Sequence, residues 1–367
     1  MMLGVQKVRV LSKKGIIILF LLICIPVSSR GAGITLSDTL QYTEPTPAKS
    51  TGLFKKTVNL IIRMLEQDST YVRPTRYNMT LTPQYTFGYE YYRFSTKDRK
   101  QSISISPSAN NKIGITLGCR GIYAGYSFTL NNSQPEFDME LTFYYSRVGL
   151  ELFYRKRSDG FNITGLNGFN ENGRALTNYN KEFDGLTTSQ LGANVFYVFN
   201  YRKFSFPAAY KVSAEQRISA GSFIMGFNYN EQLFVFDHTR IDPKIESLMS
   251  PELRFKKVDY MDFSINFGYS YNWVFAKNCL LNVSAIPAIG YKTTELKIVT
   301  SPTEFTSNIN IDLVSRLALV YNNGKYYAGA SFVSHTYTYT KPELSILNGF
   351  GYLKVYAGFN FWRRKNR

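Results

Sequence analysis

The stretch Met261-Asp-Phe-Ser-Ile-Asn-Phe-Gly-Tyr-Ser-Tyr-Asn-Trp273 alternates without a break. Met261, Phe263, Ile265, Phe267, Tyr269, Tyr271 and Trp273 fall on one side, and Asp262, Ser264, Asn266, Gly268, Ser270 and Asn272 on the other. A period of two sends successive side chains to opposite faces of a strand, whereas a helix would scatter both sets around its circumference. The stretch is longer than the ~5–6 residues of an average strand and long enough to cross a bilayer at a tilt, which takes ~9–11.

The same alternation runs through the rest of the chain. Phe137, Met139, Leu141, Phe143 and Tyr145 oppose Asp138, Glu140, Thr142 and Tyr144; Ile309, Ile311, Leu313, Ser315, Leu317 and Leu319 oppose Asn308, Asn310, Asp312 and Arg316; Leu353, Val355, Ala357, Phe359 and Phe361 oppose Lys354, Tyr356, Gly358 and Asn360. Extended segments are expected near 78–93, 100–106, 112–119, 121–130, 136–146, 148–157, 188–200, 216–230, 259–274, 278–292, 308–322, 325–340 and 350–362. That makes thirteen, and single-chain bacterial barrels have an even number. Joining 112–130 into one bulged strand at Cys119 to Gly121 brings the expectation to twelve. Short turns at Ser146-Arg147 and Asn322-Asn323-Gly324 alternate with long segments at 158–187 and 231–258, which are expected to face the cell exterior. The fold class expected is all-β, a transmembrane antiparallel up-and-down β-barrel of twelve strands. A soluble β-sandwich alternates too, but strand length and the Tyr, Phe and Trp at strand ends favour the membrane barrel.

Composition agrees. With 28 Phe, 28 Tyr and a near-neutral mean hydropathy, the chain is too polar for a bundle of membrane helices, whereas a barrel hides its apolar face in an average. The long apolar run is Gly15 to Val27, preceded by Lys7, Arg9, Lys13 and Lys14 and followed by small residues, the pattern of a secretory signal peptide over 1–33. Its removal takes five basic residues, so the formal charge of +17 falls to 17 − 5 = +12. Residues 34–70 read as a linker followed by a short amphipathic helix, Leu53 to Gln67, with Phe54, Val58, Ile61 and Leu65 on one face and Lys55, Lys56 and Arg63 beside it. The barrel is expected over 71–367. For an exported chain the basic excess points to outer-membrane lipid, lipopolysaccharide phosphates included, and not to nucleic acid. The barrel-assembly machinery is the other expected partner. Cys119 and Cys279 lack a CxxC spacing and read as isolated strand cysteines.

The segment Asp68-Ser-Thr-Tyr-Val-Arg-Pro-Thr-Arg-Tyr-Asn-Met-Thr, after the amphipathic helix, resembles the start of a Bacteroidota family known as domain of unknown function four-four-two-one. Ser102-Ile-Ser-Ile-Ser-Pro107, Gly114-Ile-Thr-Leu-Gly, Gly121-Ile-Tyr-Ala-Gly-Tyr-Ser-Phe and Tyr154-Arg-Lys-Arg-Ser-Asp-Gly-Phe-Asn-Ile follow in order. The resemblance covers roughly residue 50 to the end. It implies an exported outer-membrane-type barrel and carries no activity.

Chemistry is sparse. His335 stands beside Ser334, a serine and base of the kind a lipid-modifying hydrolase uses, but adjacent strand residues face opposite ways, so a distant serine would be needed. His238 follows Asp237 in a long segment, where a loop histidine is the simpler reading. No histidine, cysteine or carboxylate spacing suits a metal, and no cofactor motif is present. The inward charges say more: Asp138, Glu140, Glu151, Asp262 and Asp312 against Arg155, Lys292, Arg316 and Lys354. They are expected to form an ion-pair lattice across a narrow lumen, or else line a small channel. The function expected is a non-enzymatic structural or surface-interaction barrel. The alternatives are a narrow solute channel and a barrel hydrolase using His335.

Overall fold

The computed structural model describes residues 67–96, 98, 100–107, 111–130, 137–158, 160–169, 179–298, 304–340 and 344–364. The expected helix at 53–67 falls outside these but for its last residue. In chain order the elements are β1 (Val72–Pro74), β2 (Tyr77–Thr96), β3 (Ser102–Pro107), β4 (Asn111–Cys119), β5 (Ile122–Thr129), β6 (Phe137–Tyr144), β7 (Val148–Arg157), β8 (Phe161–Asn167), β9 (Lys181–Phe183) and β10 (Leu186–Val198). There follow α1 (Phe206–Tyr210), β11 (Ala214–Gln216), β12 (Ala220–Phe236), α2 (Pro243–Ser247), β13 (Phe255–Ala276), β14 (Cys279–Ile298), β15 (Glu304–Asn322), β16 (Tyr326–Thr340) and β17 (Leu344–Arg363).

Twelve of these strands, β2, β4–β7, β10 and β12–β17, pair antiparallel in an up-and-down ring. β17 closes on β2, with Leu353 opposite Phe87 and Phe361 opposite Met79. Closure leaves the wall without an edge, so its backbone groups are paired within the ring. The alternation that suggested strands decides which side is which. On β13 every odd residue from Met261 to Trp273 is at least 41% exposed, while Asp262, Ser264, Asn266, Ser270 and Asn272 are at most 5% exposed. Phe223 and Phe227 on β12, Val283 and Ile289 on β14, and Leu317 and Leu319 on β15 extend the same apolar belt. An apolar outside around a polar inside is the inverse of a β-sandwich, and it requires lipid as the outer solvent. Seven residue pairs on alternate positions, at ~3.3 Å per residue and a ~45° tilt, reach roughly 30 Å, about a bilayer core.

The count of twelve holds, but the merger behind it does not. β4 and β5 are separate strands joined by a two-residue turn, Arg120-Gly121, in which both residues take positive φ, 49° and 94°. This is the mirror-image turn whose twist matches a hairpin. The segment that leaves the wall is β3. At its tip β2 drops β4 and pairs with β3, Phe94 opposite Ile103, and β3 continues to β8 and β9 as a flap. Gly121→Ala is expected to destabilise the barrel by ~1–2 kcal/mol, because an L side chain at this φ is strained and its Cβ would lie 2.8 Å from the Tyr144 carbonyl oxygen. Urea-dependent refolding into vesicles measures it, and an unchanged midpoint would contradict the turn assignment.

The two ends are built differently. The described residues of the expected loops at 158–187 and 231–258 are largely structured. They carry β8, β9 and α2, together with the ends of β12 and β13. Twenty buried apolar side chains form one core there, including Phe94, Ile103 and Ile105 from β2–β3, Phe161 and Phe183 from the flap, and Phe234, Phe236, Phe255 and Tyr260 from the inner faces of β12 and β13. Ring centroids of Phe236 and Phe255 stand 4.7 Å apart, and those of Phe94 and Phe255 5.0 Å apart. The flap therefore folds over the mouth as a cap.

The opposite end has turns of two or three residues and one long excursion, residues 199–219, that folds into the lumen. Ser205 caps α1 by accepting from the Ala208 amide at 3.3 Å, and Pro207 presets its first turn. Ala208 and Ala209 are small enough to approach β14 and β15, where they pack with Leu280, Ala318 and Val320. Phe206 meets Phe196 at 4.8 Å and Tyr144 at 5.6 Å. Gln216 staples the excursion: its Oε1 accepts from the Ser205 amide and Asn272 Nδ2, and its Nε2 donates to the Lys203 carbonyl. β11 then pairs with β1, Val72 opposite Gln216, under the plug.

Candidate functional site: a charged layer between plug and cap

Between plug and cap the inner faces are polar, and the expected lumen charges all lie there. They separate into three groups. In the first, Asp138 on β6 accepts from Lys112 on β4 at 2.9 Å and lies 3.4 Å from Arg155 on β7. Glu140, two residues on and one position deeper, is held by Lys211 from the plug and by Lys354 of β17 at 3.7 Å. The plug is thereby tied to the wall by charge as well as by packing.

The second group spans the lumen. Arg316 on β15 makes a two-pronged bond to Glu151 on β7 at 3.0 and 3.1 Å. These strands stand five positions apart in a ring of twelve, close to a diameter. Asn194 Nδ2 donates to the same carboxylate at 2.9 Å, and the Tyr144 hydroxyl also donates to it. A parallel two-bond pair of this kind is among the stronger charge-assisted contacts. Its side chains are only 11% and 16% exposed, so water screens it little.

The third group lies on the tall wall. Asp262 on β13 is directly opposite Lys292 on β14, and Asn310 Nδ2 donates to Asp312 at 2.7 Å on β15. The Lys292 ammonium sits 4.6 Å over the Tyr260 ring, joining this group to the underside of the cap. Side-chain oxygens of both aspartates are buried beside a cavity that Asn194, Asn266, Arg316 and His335 also line.

The candidate catalytic residues do not come together. His335 faces inward and stacks flat on Phe350, with centroids 4.5 Å apart. Ser334 faces outward, its hydroxyl 2.7 Å from that of Tyr89 on the lipid side. His238 turns away from Asp237 and bonds Glu246 at 3.2 Å within the cap loop. Asp237 instead accepts from the Thr239 hydroxyl and backbone, which hold its carboxyl below the usual range. Asp242, at the start of α2, is likewise lowered by the Lys244 amide and by Lys181. Among the described residues no group of three or more His, Cys, Asp or Glu is placed to hold a metal ion.

Sequence reasoning placed Tyr144 on the inner face but missed Lys112, Lys211 and Asn194. Lys112 belongs to an alternating strand, and the period alone would have placed it inside. Lys211 lies in the excursion, where no period exists. Its only signal was Ser205-Phe206-Pro207, a helix start in what otherwise reads as a connection.

A closed antiparallel ring with an apolar belt outside and a charged, plugged interior is a transmembrane β-barrel of the outer-membrane type. The chain belongs to the family described as "Domain of unknown function (DUF4421)", whose model matches residues 66–361. No curated protein matches it. Among solved structures it is similar to the outer membrane protease OmpT from Escherichia coli, at 8% identity over 77% of this chain and 97% of that one, with a TM-score of 0.36. The β domain of the Bordetella autotransporter BrkA gives 10% identity over 77% and 100% of the two chains and a TM-score of 0.36. The translocator domain of autotransporter NalP from Neisseria meningitidis gives 8% over 84% and 98%, with a TM-score of 0.28.

Proposed function

We propose that this chain is a non-conducting outer-membrane protein of a Gram-negative bacterium that acts through its folded outer cap, in a surface-interaction or structural role. The observation that carries the reading is the three-layer filling of the lumen: plug, Arg316–Glu151 strut and apolar cap in series. A barrel meant to pass solutes would keep at least a wet path past such residues. Here each layer draws on strands from opposite sides of the ring, so opening one leaves two in place. Barrels whose short turns face the periplasm place the cap outside the cell, where a core of twenty apolar side chains gives a fixed surface for a partner to meet.

The channel reading has less support because the strut crosses near the diameter, and the hydrolase reading because Ser334 and His335 point apart. Purified full-length protein in planar bilayers is expected to give no steady current. A stable, reproducible unit conductance from wild-type protein would overturn the proposal in favour of the channel.

A further inference from the structure

Charge is divided unequally between the two ends of the barrel. At the short-turn end, residues 67–78, 119–122, 145–148, 199–219, 276–279, 322–326 and 362–364 hold twelve Lys and Arg against two acids, Asp68 and Glu215. At the cap end, the described residues of 91–101, 156–158, 179–186, 231–259 and 295–298 hold eleven against ten. The cap-end charges are largely neutralised in place, as in Lys181–Asp242 at 3.2 Å, Arg240–Asp237 at 3.3 Å and Lys257–Asp259 at 3.0 Å. At the short-turn end Glu215 takes Arg73, and Lys211 turns inward to Glu140. Ten basic side chains remain against one acid, Arg120, Arg217, Lys277, Lys325 and Arg363 among them, these five all exposed.

A second feature sets the depth of this collar. Trp273, Phe275, Tyr321, Tyr326 and Trp362 face outward at the same end, each at least 45% exposed. Amphipathic rings of this kind settle at the headgroup level of a bilayer. Lys277 follows Phe275 by two residues, Lys325 precedes Tyr326 and lies 5.1 Å from its ring, and Arg363 follows Trp362. These three basic groups thus stand within one or two residues of the aromatic girdle, at the level of lipid phosphates, and Arg120 and Arg217 lie on turns and connections of the same end.

We propose that this collar binds the headgroups of anionic phospholipids in the leaflet at the short-turn end, which is the periplasmic leaflet on the reading above. Guanidinium forks and ammonium groups complement phosphodiester oxygens, and each such residue near an anionic surface contributes on the order of a fivefold preference. The lipid phosphates that this protein selects are then not those of lipopolysaccharide, because the described residues of the cap end carry balanced charge.

The test reconstitutes the full-length chain in phosphatidylcholine vesicles carrying spin-labelled phosphatidylglycerol or spin-labelled phosphatidylcholine, and reads the fraction of label immobilised at the protein. The expected result is at least about fivefold selectivity for phosphatidylglycerol, abolished at about 1 M salt, where the screening length is ~3 Å. The variant Arg120→Gln/Arg217→Gln/Lys277→Gln/Lys325→Gln loses most of the selectivity, while Lys156→Gln/Lys256→Gln/Lys297→Gln at the cap end keeps it. Equal immobilisation of the two labels, or loss with the cap-end variant instead, would overturn the proposal. So would binding to purified cell-wall sacculi with no lipid selectivity, which would assign the collar to a wall polymer. If the fourfold variant does not fold, the salt response of the wild type decides alone. A conducting barrel with intact selectivity refutes only the sealed lumen, and a silent barrel without selectivity refutes only the collar.

Discussion

Glu151→Ala is expected to lower the stability of the folded barrel by about 3–5 kcal/mol, the cost typical of stripping one partner from a buried ion pair. The size follows from what is left behind. Arg316 would keep its charge in a site only 11% exposed, facing Tyr144 and Asn194, neither of which can neutralise it. Glu151→Leu with Arg316→Met is expected to recover most of that loss, because an apolar pair of similar volume removes both desolvation costs at once. Urea-dependent folding into vesicles measures both, with Trp273 and Trp362 on the lipid face as fluorescence reporters. A loss below about 1 kcal/mol would mean a pair bathed in water, and with it an open lumen.

Phe94→Ala is expected to unfold the cap and spare the wall. Phe94 is fully buried, and its ring meets Phe234 at 5.8 Å, Phe236 at 6.0 Å and Phe255 at 5.0 Å. Truncating such a residue costs about 3–5 kcal/mol. Because proteolysis follows the population of the open form, trypsin cleavage at Lys181 and Lys244 should accelerate on the order of 10²-fold. The twelve-stranded ring, closed by its own hydrogen bonds, should still migrate as a folded barrel on a cold gel. Loss of both together would show that the cap is not a separable layer, and unchanged cleavage would show that the core at 92–105 does not hold it down.

Much of this architecture is written in the period-two pattern, yet that pattern is silent about what an apolar face meets. Ile103 and Ile105 alternate with serines just as Phe263 and Ile265 flank Ser264 on a wall strand, but β3 turns its apolar side to protein and β13 turns its own to lipid. Length was the available signal, since the six residues of β3 fall short of a bilayer crossing. The break between β4 and β5 was obscured for a different reason: Arg120 occupies a turn position where Asn or Asp is the usual cue.

Alternation also placed the lumen charges. Asp138, Glu140, Glu151, Asp262, Asp312, Arg155, Lys292, Arg316 and Lys354 all lie on the inner face. Their partners were not legible, because Glu151 and Arg316 are 165 residues apart and meet only through the closure and curvature of the ring. The plug was hidden for the opposite reason. Its five-residue helix is too short to show a helical period, and its stability comes from what surrounds it.

Hydrogen exchange across residues 203–217 in the membrane-embedded protein tests the filled lumen most directly. The Ser205 amide bonds Gln216 at 2.9 Å, the Lys211 amide the Pro207 carbonyl at 3.1 Å, and the Arg217 amide the Tyr71 carbonyl at 2.7 Å. With the segment seated inside the ring, these amides are expected to exchange as slowly as those of the neighbouring wall strands, over hours. Exchange within seconds, with the wall still protected, would place the segment outside the barrel and contradict the sealed lumen.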